Sequence, residues 1–259
     1  MCGRLALTHA REEVERYFRV AEVEDFPPRY NIAPTQPLLV VTAAETRPEG
    51  SNLPDRNALL MRWGLLPAWV KDPEDFPLLI NARSETAAEK ASFRAAMRHR
   101  RCIIPASGFY EWARDKASGQ SQAFWVRPRD GGPVGFAGLH ETWIGKDGSE
   151  IDTCAIMTMA APDDLSHIHH RVPVALRPEH HDRWLDVRGQ GPADIVDLFA
   201  PEAQVMFDAI AVSDKVNKVA NAGPDVQEPV EPRAFAVPGA AKTVAKTDTG
   251  GEESQPSLF

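Results

Sequence analysis

The 259-residue sequence predicts an α+β fold: a curved, barrel-like, mainly antiparallel sheet with peripheral helices, plus a disordered C-terminal tail. Three observations lead there. Short apolar runs of strand character alternate with Pro/Gly turns over the first 230 or so residues. Helical patterns are few. No βαβ rhythm or Gly-rich phosphate loop is present, which argues against a doubly wound nucleotide-binding fold. In chain order, Thr8 is placed to cap a helix running to about Phe18, acidic early and apolar at Val14, Tyr17 and Phe18. Strands are expected over 37–44, 58–63, 76–80, 102–112, 122–127, 134–143, 151–159, 172–176 and 205–212. Helical stretches fall at about 87–99, where Thr86 and Glu89 match a T-x-x-E capping box, and at 179–186 and 192–199. From about Ala236 the composition turns small and polar. Too little apolar area remains there to offset chain entropy, so 236–259 reads as a disordered tail behind a folded domain over 1–235.

Composition narrows the function classes. The chain is 43% hydrophobic and 25% charged, ordinary for a globular protein. No apolar run approaches the roughly 20 residues of a membrane-spanning helix, and the N-terminus lacks the apolar core of a signal peptide. A cytoplasmic protein with no membrane partner is expected. Cys2, Cys102 and Cys154 form no CxxC pair, so neither a disulfide framework nor a cysteine-rich zinc site is expected. The net charge of −8 argues on its face against nucleic acid. Yet residues 83–118 hold eight Lys/Arg against four Asp/Glu, and binding depends on charge at the groove rather than on the total.

Cys2 follows the start methionine, and cysteine is small enough for that methionine to be removed. Processing would leave an α-amine beside a thiol. An α-amine titrates at about 7.7–8.0 against about 10.4 for lysine, so its neutral fraction at neutral pH is larger by roughly two orders of magnitude. Such an amine condenses with an aldehyde to an imine. The adjacent thiol, ordinarily near pKa ~8.5, can close on that imine as thiolate to give a five-membered thiazolidine. Alternatively the thiol attacks a carbonyl with the amine as its base, as in N-terminal-nucleophile hydrolases. The plain alternative is an incidental residue near a terminus.

Other polar residues sit in apolar frames. In FPLLINARSETAAE an apolar run ends at Asn81, Arg83 follows, and a helix start comes next. Helix N-termini favour anions, so Arg83 would hold a phosphate and Asn81 would orient a reacting group; otherwise Asn81 ends a strand and Arg83 is a surface charge. In GFYEW, Phe109 and Glu111 share one strand face, Tyr110 and Trp112 the other. A carboxyl on an apolar face is desolvated, and its pKa rises toward that of a usable acid or base; at a sheet edge it would face water. Five of the eight histidines lie between 167 and 181. No acidic or cysteine partner completes a usual zinc pattern, so one histidine in proton transfer is the better reading. In a strand His167 and His169 would project together and His170 oppositely, while His180 and His181 are expected at the surface of a helix start. Trp63 and Trp69 in RWGLLPAWV could stack on bases or pack in the core.

Together, MCGR at the start, YNIAPTQ (30–36), RWGLLPAW (62–69), INARSET (80–86), GFYEW (108–112) and IHHRVP (168–173) resemble the SRAP family, the SOS response-associated peptidases. The resemblance runs in order from Met1 to about Pro229, including VSDKVNKVANAG (212–223), and six ordered motifs are far more specific than any one. It implies a protein that senses abasic sites in single-stranded DNA and crosslinks to them as a thiazolidine on Cys2 once Met1 is gone. Associated lyase activity and removal of its own methionine are implied too, with no cofactor. By the match, Cys2 is the nucleophile, Asn81 positions its amine or the sugar, Glu111 transfers a proton during imine formation, and His169 acts as acid/base on the sugar hydroxyl. Gly3, Arg4, Arg83, Thr158 and Arg171 would contact DNA, the arginines through flanking phosphates, and Trp69 would pack near it. Residues 1–235 would be the catalytic and DNA-binding domain of a nucleoid-associated protein. Two departures stand out: His170 where an acidic residue is common, and Val172 where a longer side chain is usual. Two other readings carry different chemistry: an N-terminal-cysteine amidohydrolase or glutamine amidotransferase, which also begins MCG, and a non-catalytic adaptor.

The tail ends in QPSLF. Gln255, Leu258 and Phe259 resemble the Q-x-x-L-F peptide with which bacterial replication and repair proteins bind the sliding clamp. An apolar tip on a polar tether can enter a pocket, and tethering raises local concentration. A chance match is the alternative for so short a motif.

Overall fold

The computed structural model describes residues 2–236 except 22, 45–49 and 53. Its strands and helices run β1 (Leu5–Leu7), α1 (Arg11–Phe18), β2 (Arg29–Ile32), β3 (Pro37–Ala43), β4 (Arg56–Trp63), β5 (Asn81–Arg83), α2 (Arg94–His99), β6 (Arg101–Ala106), β7 (Gly108–Arg114), β8 (Ser121–Pro128), β9 (Val134–Ile144), β10 (Glu150–Ala160), α3 (Asp163–Ser166), β11 (Arg171–Pro173), β12 (Ala175–Leu176), α4 (His181–Leu185) and β13 (Phe207–Val212). Short 3₁₀ segments fill the second half, among them Pro192–Phe199. The larger sheet follows the order β11-β10-β4-β3-β6-β9-β12, with β5 beside β10. Because β9 also pairs with β10, the path β10-β4-β3-β6-β9 returns on itself and closes a barrel. The smaller sheet is β13-β8-β7-β1-β2. Among the described residues only the pairings of β10 with β4 and β5 are parallel, so the α+β, curved, mainly antiparallel expectation holds.

Closure explains the burial. Residues 153–159 of β10 are buried without alternation, because one face looks into the barrel and the other is covered. Trp63, Phe109, Phe136 and Trp184 share one core with Leu5, so the amino-terminal strand is anchored in it. Among the described residues no helix is long and apolar enough to cross a membrane.

Several expected elements are corrected. The strand expected over 102–112 is two strands broken at Ser107, where the chain passes from the large sheet to the small one. Ser107 Oγ accepts from Thr8 N–H at 2.8 Å and lies 2.6 Å from His9 Nδ1, and a Cβ on Gly108 would stand 2.3 Å from Val126 O. Thr8 therefore does not cap α1; Ala10 occupies that position, and the Thr8 hydroxyl bonds Ser107. No strand forms over 76–80, where Pro77 has no N–H to donate and Leu79 makes only a bridge to Leu65. The strand begins at Asn81 instead, drawn into parallel pairing by β10. The helix expected over 87–99 is short, α2 alone, preceded by a chain of turns in which Glu89 N–H bonds Thr86 O rather than its hydroxyl, so the capping box does not form. The stretch at 192–199 winds as 3₁₀ rather than α. Residues 167–170 are a turn after α3, not a strand, so the alternation of His167, His169 and His170 does not apply. His181 is buried, 1% exposed, stacked on Phe18 at 5.6 Å rather than at the surface. The tail and its Gln255, Leu258 and Phe259 lie outside the described residues.

Candidate active site

The site forms where three elements meet. β1 lies between β2 and β7, with Leu5 opposite Phe109 and Tyr110 N–H bonded to Arg4 O at 2.9 Å. Continuing that antiparallel register brings Gly3 opposite Glu111. β5 supplies Asn81 from the other sheet, aligned with Ile156 of β10. The Asn81 amide donates to the Cys2 carbonyl at 2.7 Å. Its other atom, Oδ1, is buried with no hydrogen-bond partner among the described residues, so an acceptor stands ready beside Cys2.

Electrostatics couple these groups. Cys2 is fully buried. Burial, and then the negative charge of Glu111, push its thiol well above the ordinary range, so the sulfur is held as S–H. Glu111 is 5% exposed on the same side of β7 as Phe109, and burial raises its pKa against the pull of the amino-terminal positive charge. The face assignment in GFYEW is thus right: Phe109 joins the main core and Tyr110 the second apolar cluster. His169 is half-buried, its pKa lowered by burial and then by the amino-terminal charge, and its Nδ1 takes the Arg171 N–H at 3.0 Å. Glu111 and His169 line one cavity of ≈ 10 Å³, room for about one water.

The cations divide into held and open. Arg171 is 8% exposed, forked onto Glu85 at 2.5 and 2.9 Å, and also donates to Thr158 O at 2.5 Å. Thr158 is fully buried beneath it. A direct Thr158 contact with DNA is therefore corrected: its hydroxyl accepts from Arg171 and can only position it. Arg4 donates to Asn31 Oδ1 at 2.7 Å and Val216 O at 2.6 Å and lies 6.0 Å over the Trp112 ring. The Asn31 amide in turn donates to Val216 O, Lys218 O and Asn221 O, tying YNIAPTQ to VSDKVNKVANAG. Arg83 is exposed at the end of β5. Trp63 is core, with its indole N–H on Ile80 O at 3.0 Å, so base stacking by Trp63 is corrected. Trp69 is 58% exposed, edge-on to Phe76 at 5.5 Å.

The fold thus gathers Cys2, Asn81, Glu111 and His169, while the ring contact of Trp69 is with Phe76. Sequence reasoning gave no role to Asn31 or Glu85, the partners that hold Arg4 and Arg171. Both lie in the motifs YNIAPTQ and INARSET, and that position was the only available signal.

Comparison with known proteins agrees in sequence and in fold. The sequence model of the SOS response associated peptidase (SRAP) family matches residues 1–219. "Abasic site processing protein YoqW" of Bacillus subtilis (strain 168) is 34% identical over 232 residues, 88% of this chain and 99% of its own. "Abasic site processing protein YedK" of Escherichia coli (strain K12) is 32% identical over 238 residues, 89% of this chain and 100% of its own. A solved structure from Bacteroides thetaiotaomicron superposes with a TM-score of 0.73 at 23% identity, covering 89% of this chain and all of that one. One from Bordetella bronchiseptica reaches 0.66 at 28% identity, covering 82% of this chain and 100% of that one. The chain belongs to the SOS response associated peptidase (SRAP) family.

Proposed function

We propose that the protein captures abasic sites in single-stranded DNA covalently, closing a thiazolidine on Cys2 after loss of Met1. Its relatives are named abasic site processing proteins. The observation that carries the chemistry is the unpartnered Asn81 Oδ1, a buried acceptor on the same amide that holds the Cys2 carbonyl. The ring-opened abasic sugar presents an aldehyde. The Cys2 amine forms a C–N bond to it and one amine proton passes to the carbonyl oxygen; Glu111 as a carboxylic acid then protonates that hydroxyl, and water departs to leave a protonated imine and the Glu111 carboxylate. The thiol then adds: the S–C bond forms, the S–H proton leaves to the Glu111 carboxylate, and the imine nitrogen becomes an amine. One water is lost and nothing is oxidised.

His169 serves the sugar hydroxyl in ring opening and in reversal. Arg83 takes a flanking phosphate, Arg4 and Arg171 support the strand from their fixed positions, Gly3 allows close approach, and Trp69 packs beside the DNA. Residues 1–235 form the catalytic and DNA-binding domain in this reading, and lyase activity and release of Met1 belong to the same centre.

Purified protein incubated with abasic single-stranded DNA is expected to give a denaturation-resistant adduct whose intact mass shows loss of Met1 and of one water. Cys2→Ala is expected to form none; an equal yield from Cys2→Ala would sink the proposal. The QPSLF tail is proposed as an anchor for the sliding clamp. Deleting 255–259 is expected to abolish clamp binding and leave adduct yield intact, and unchanged clamp affinity would refute it.

A further inference from the structure

A groove of ≈ 680 Å³ opens between the β5–α2 turn, the end of β10 and the segment Pro192–Phe199. Met159, Phe199 and Val196 give it apolar walls, and Val196 is 59% exposed. Arg94 and Arg98 also line it, from the exposed side of α2. Ser84 and Glu85 line it next in sequence to Arg83, and Glu85 pairs with Arg171, so it lies beside the site described above.

Of the cations over 83–118, Arg94 and Arg98 line this groove and Arg83 and Lys90 flank them in sequence, while Arg114 and Lys116 are exposed at and beyond the end of β7. Arg100 is spent on Glu141, and Arg101 is buried on the carbonyls of Trp184, Asp186 and Gln190. Arg83, Lys90, Arg94 and Arg98 are exposed, and none makes a salt bridge or side-chain hydrogen bond among the described residues. Most other arginines do, including Arg4, Arg56, Arg129, Arg171, Arg183 and Arg233. Cations left unpaired beside an apolar trough, in a chain of net charge −8, fit a ligand that is anionic along one edge and apolar along the other. Single-stranded DNA has that form: phosphates on one side, unpaired base faces on the other. A duplex keeps its base faces stacked inside.

We infer that this groove is a second DNA subsite, taking the single strand as it leaves the lesion. Arg94 and Arg98 hold successive phosphates, and a base rests on Val196 and Phe199. The inference rests on the abasic-DNA reading for its place beside the site, but binding there needs no lesion.

The test is equilibrium binding of the full chain to an intact oligonucleotide without an abasic site, followed by fluorescence anisotropy across salt concentrations. Each phosphate contact on a single strand contributes about 0.7 to the slope of log K against log salt. Arg94→Ala/Arg98→Ala is expected to lower that slope by about 1.4 and weaken low-salt binding at least about tenfold, with Tm unchanged because both side chains are exposed. Arg94→Lys/Arg98→Lys is expected to keep the slope, and Val196→Asp to weaken binding. A slope equal to that of the unaltered protein overturns the inference. So does an equal loss in Arg16→Ala/Arg127→Ala, exposed cations outside the groove. Absence of any adduct with abasic DNA would sink the proposed function and leave this measurement standing, so the two failures are distinguishable.

Discussion

At Cys2 and Glu111 the fold sets two groups against their preferred ionisation. Both are buried, and the charge of Glu111 makes ionisation of Cys2 harder still. A thiol kept protonated does not oxidise or wander into metal binding, and a carboxyl with a raised pKa gives and takes a proton at higher pH than an ordinary one. Glu111→Gln keeps the shape and removes the proton. Its adduct formation is expected to slow about 10²-fold and lose its pH dependence, as single-turnover rates across pH would show. The same substitution carries a stability signature. Where burial raises a carboxyl, the cost of charging it is absent below the ordinary carboxyl range and grows as pH rises through the raised value. Glu111→Gln escapes that cost, so its Tm should gain on the unaltered protein between pH 4 and pH 8. A constant difference would show that the Glu111 charge is not strained.

Among the elements, β5 is the least predictable and the most consequential. Its three residues hold Asn81 against Cys2, bury Ala82 completely, and turn Arg83 outward. The sequence marks the apolar run before it, but pairing with β10 decides which residues become strand, and that partner lies some 75 residues later in the chain. The same holds at Ser107, where a side-chain network from the amino terminus breaks one apolar run into strands of two different sheets. GFYEW, by contrast, was readable as written, because period-two alternation needs no distant partner. Ala82→Leu tests the role of β5 as a support. Overpacking there is expected to cost about 1–3 kcal/mol by denaturant titration and, by shifting Asn81, to slow adduct formation. Normal kinetics in a destabilised variant would separate the packing of β5 from the chemistry it supports.

For the molecule as a whole, the packing of α4 against α1 buries His181 and bears on acid tolerance. His181 lies against Phe18, and burial, aided by Arg56, lowers its pKa from 6.5 to about 4; His140 is lowered to about 4 likewise. For a histidine depressed in the folded state, stability is complete above the unfolded pKa and is lost as pH falls from about 6.5 toward the folded value. At pH 4 His181 alone accounts for a loss of order 3 kcal/mol, from about 1.36 kcal/mol per pKa unit. His181→Gln, neutral throughout, should flatten the fall of Tm between pH 7 and pH 4. An equally steep fall would assign acid sensitivity elsewhere.

The sequence by itself determined the family, the order of the motifs, the α+β class, and the residue types that chemistry at Cys2 requires. Those are properties of local composition and short-range spacing, and six motifs in order suffice to state them. Only the tertiary structure decided that Cys2 is buried and protonated, that Trp63 and His181 belong to the core, and that Thr158 and Glu85 hold Arg171. It also showed that two cations of the basic stretch, Arg94 and Arg98, line one apolar groove. Burial and pairing depend on which distant segments meet. Barrel closure joins strands far apart in the chain, so no window of the sequence contains that information.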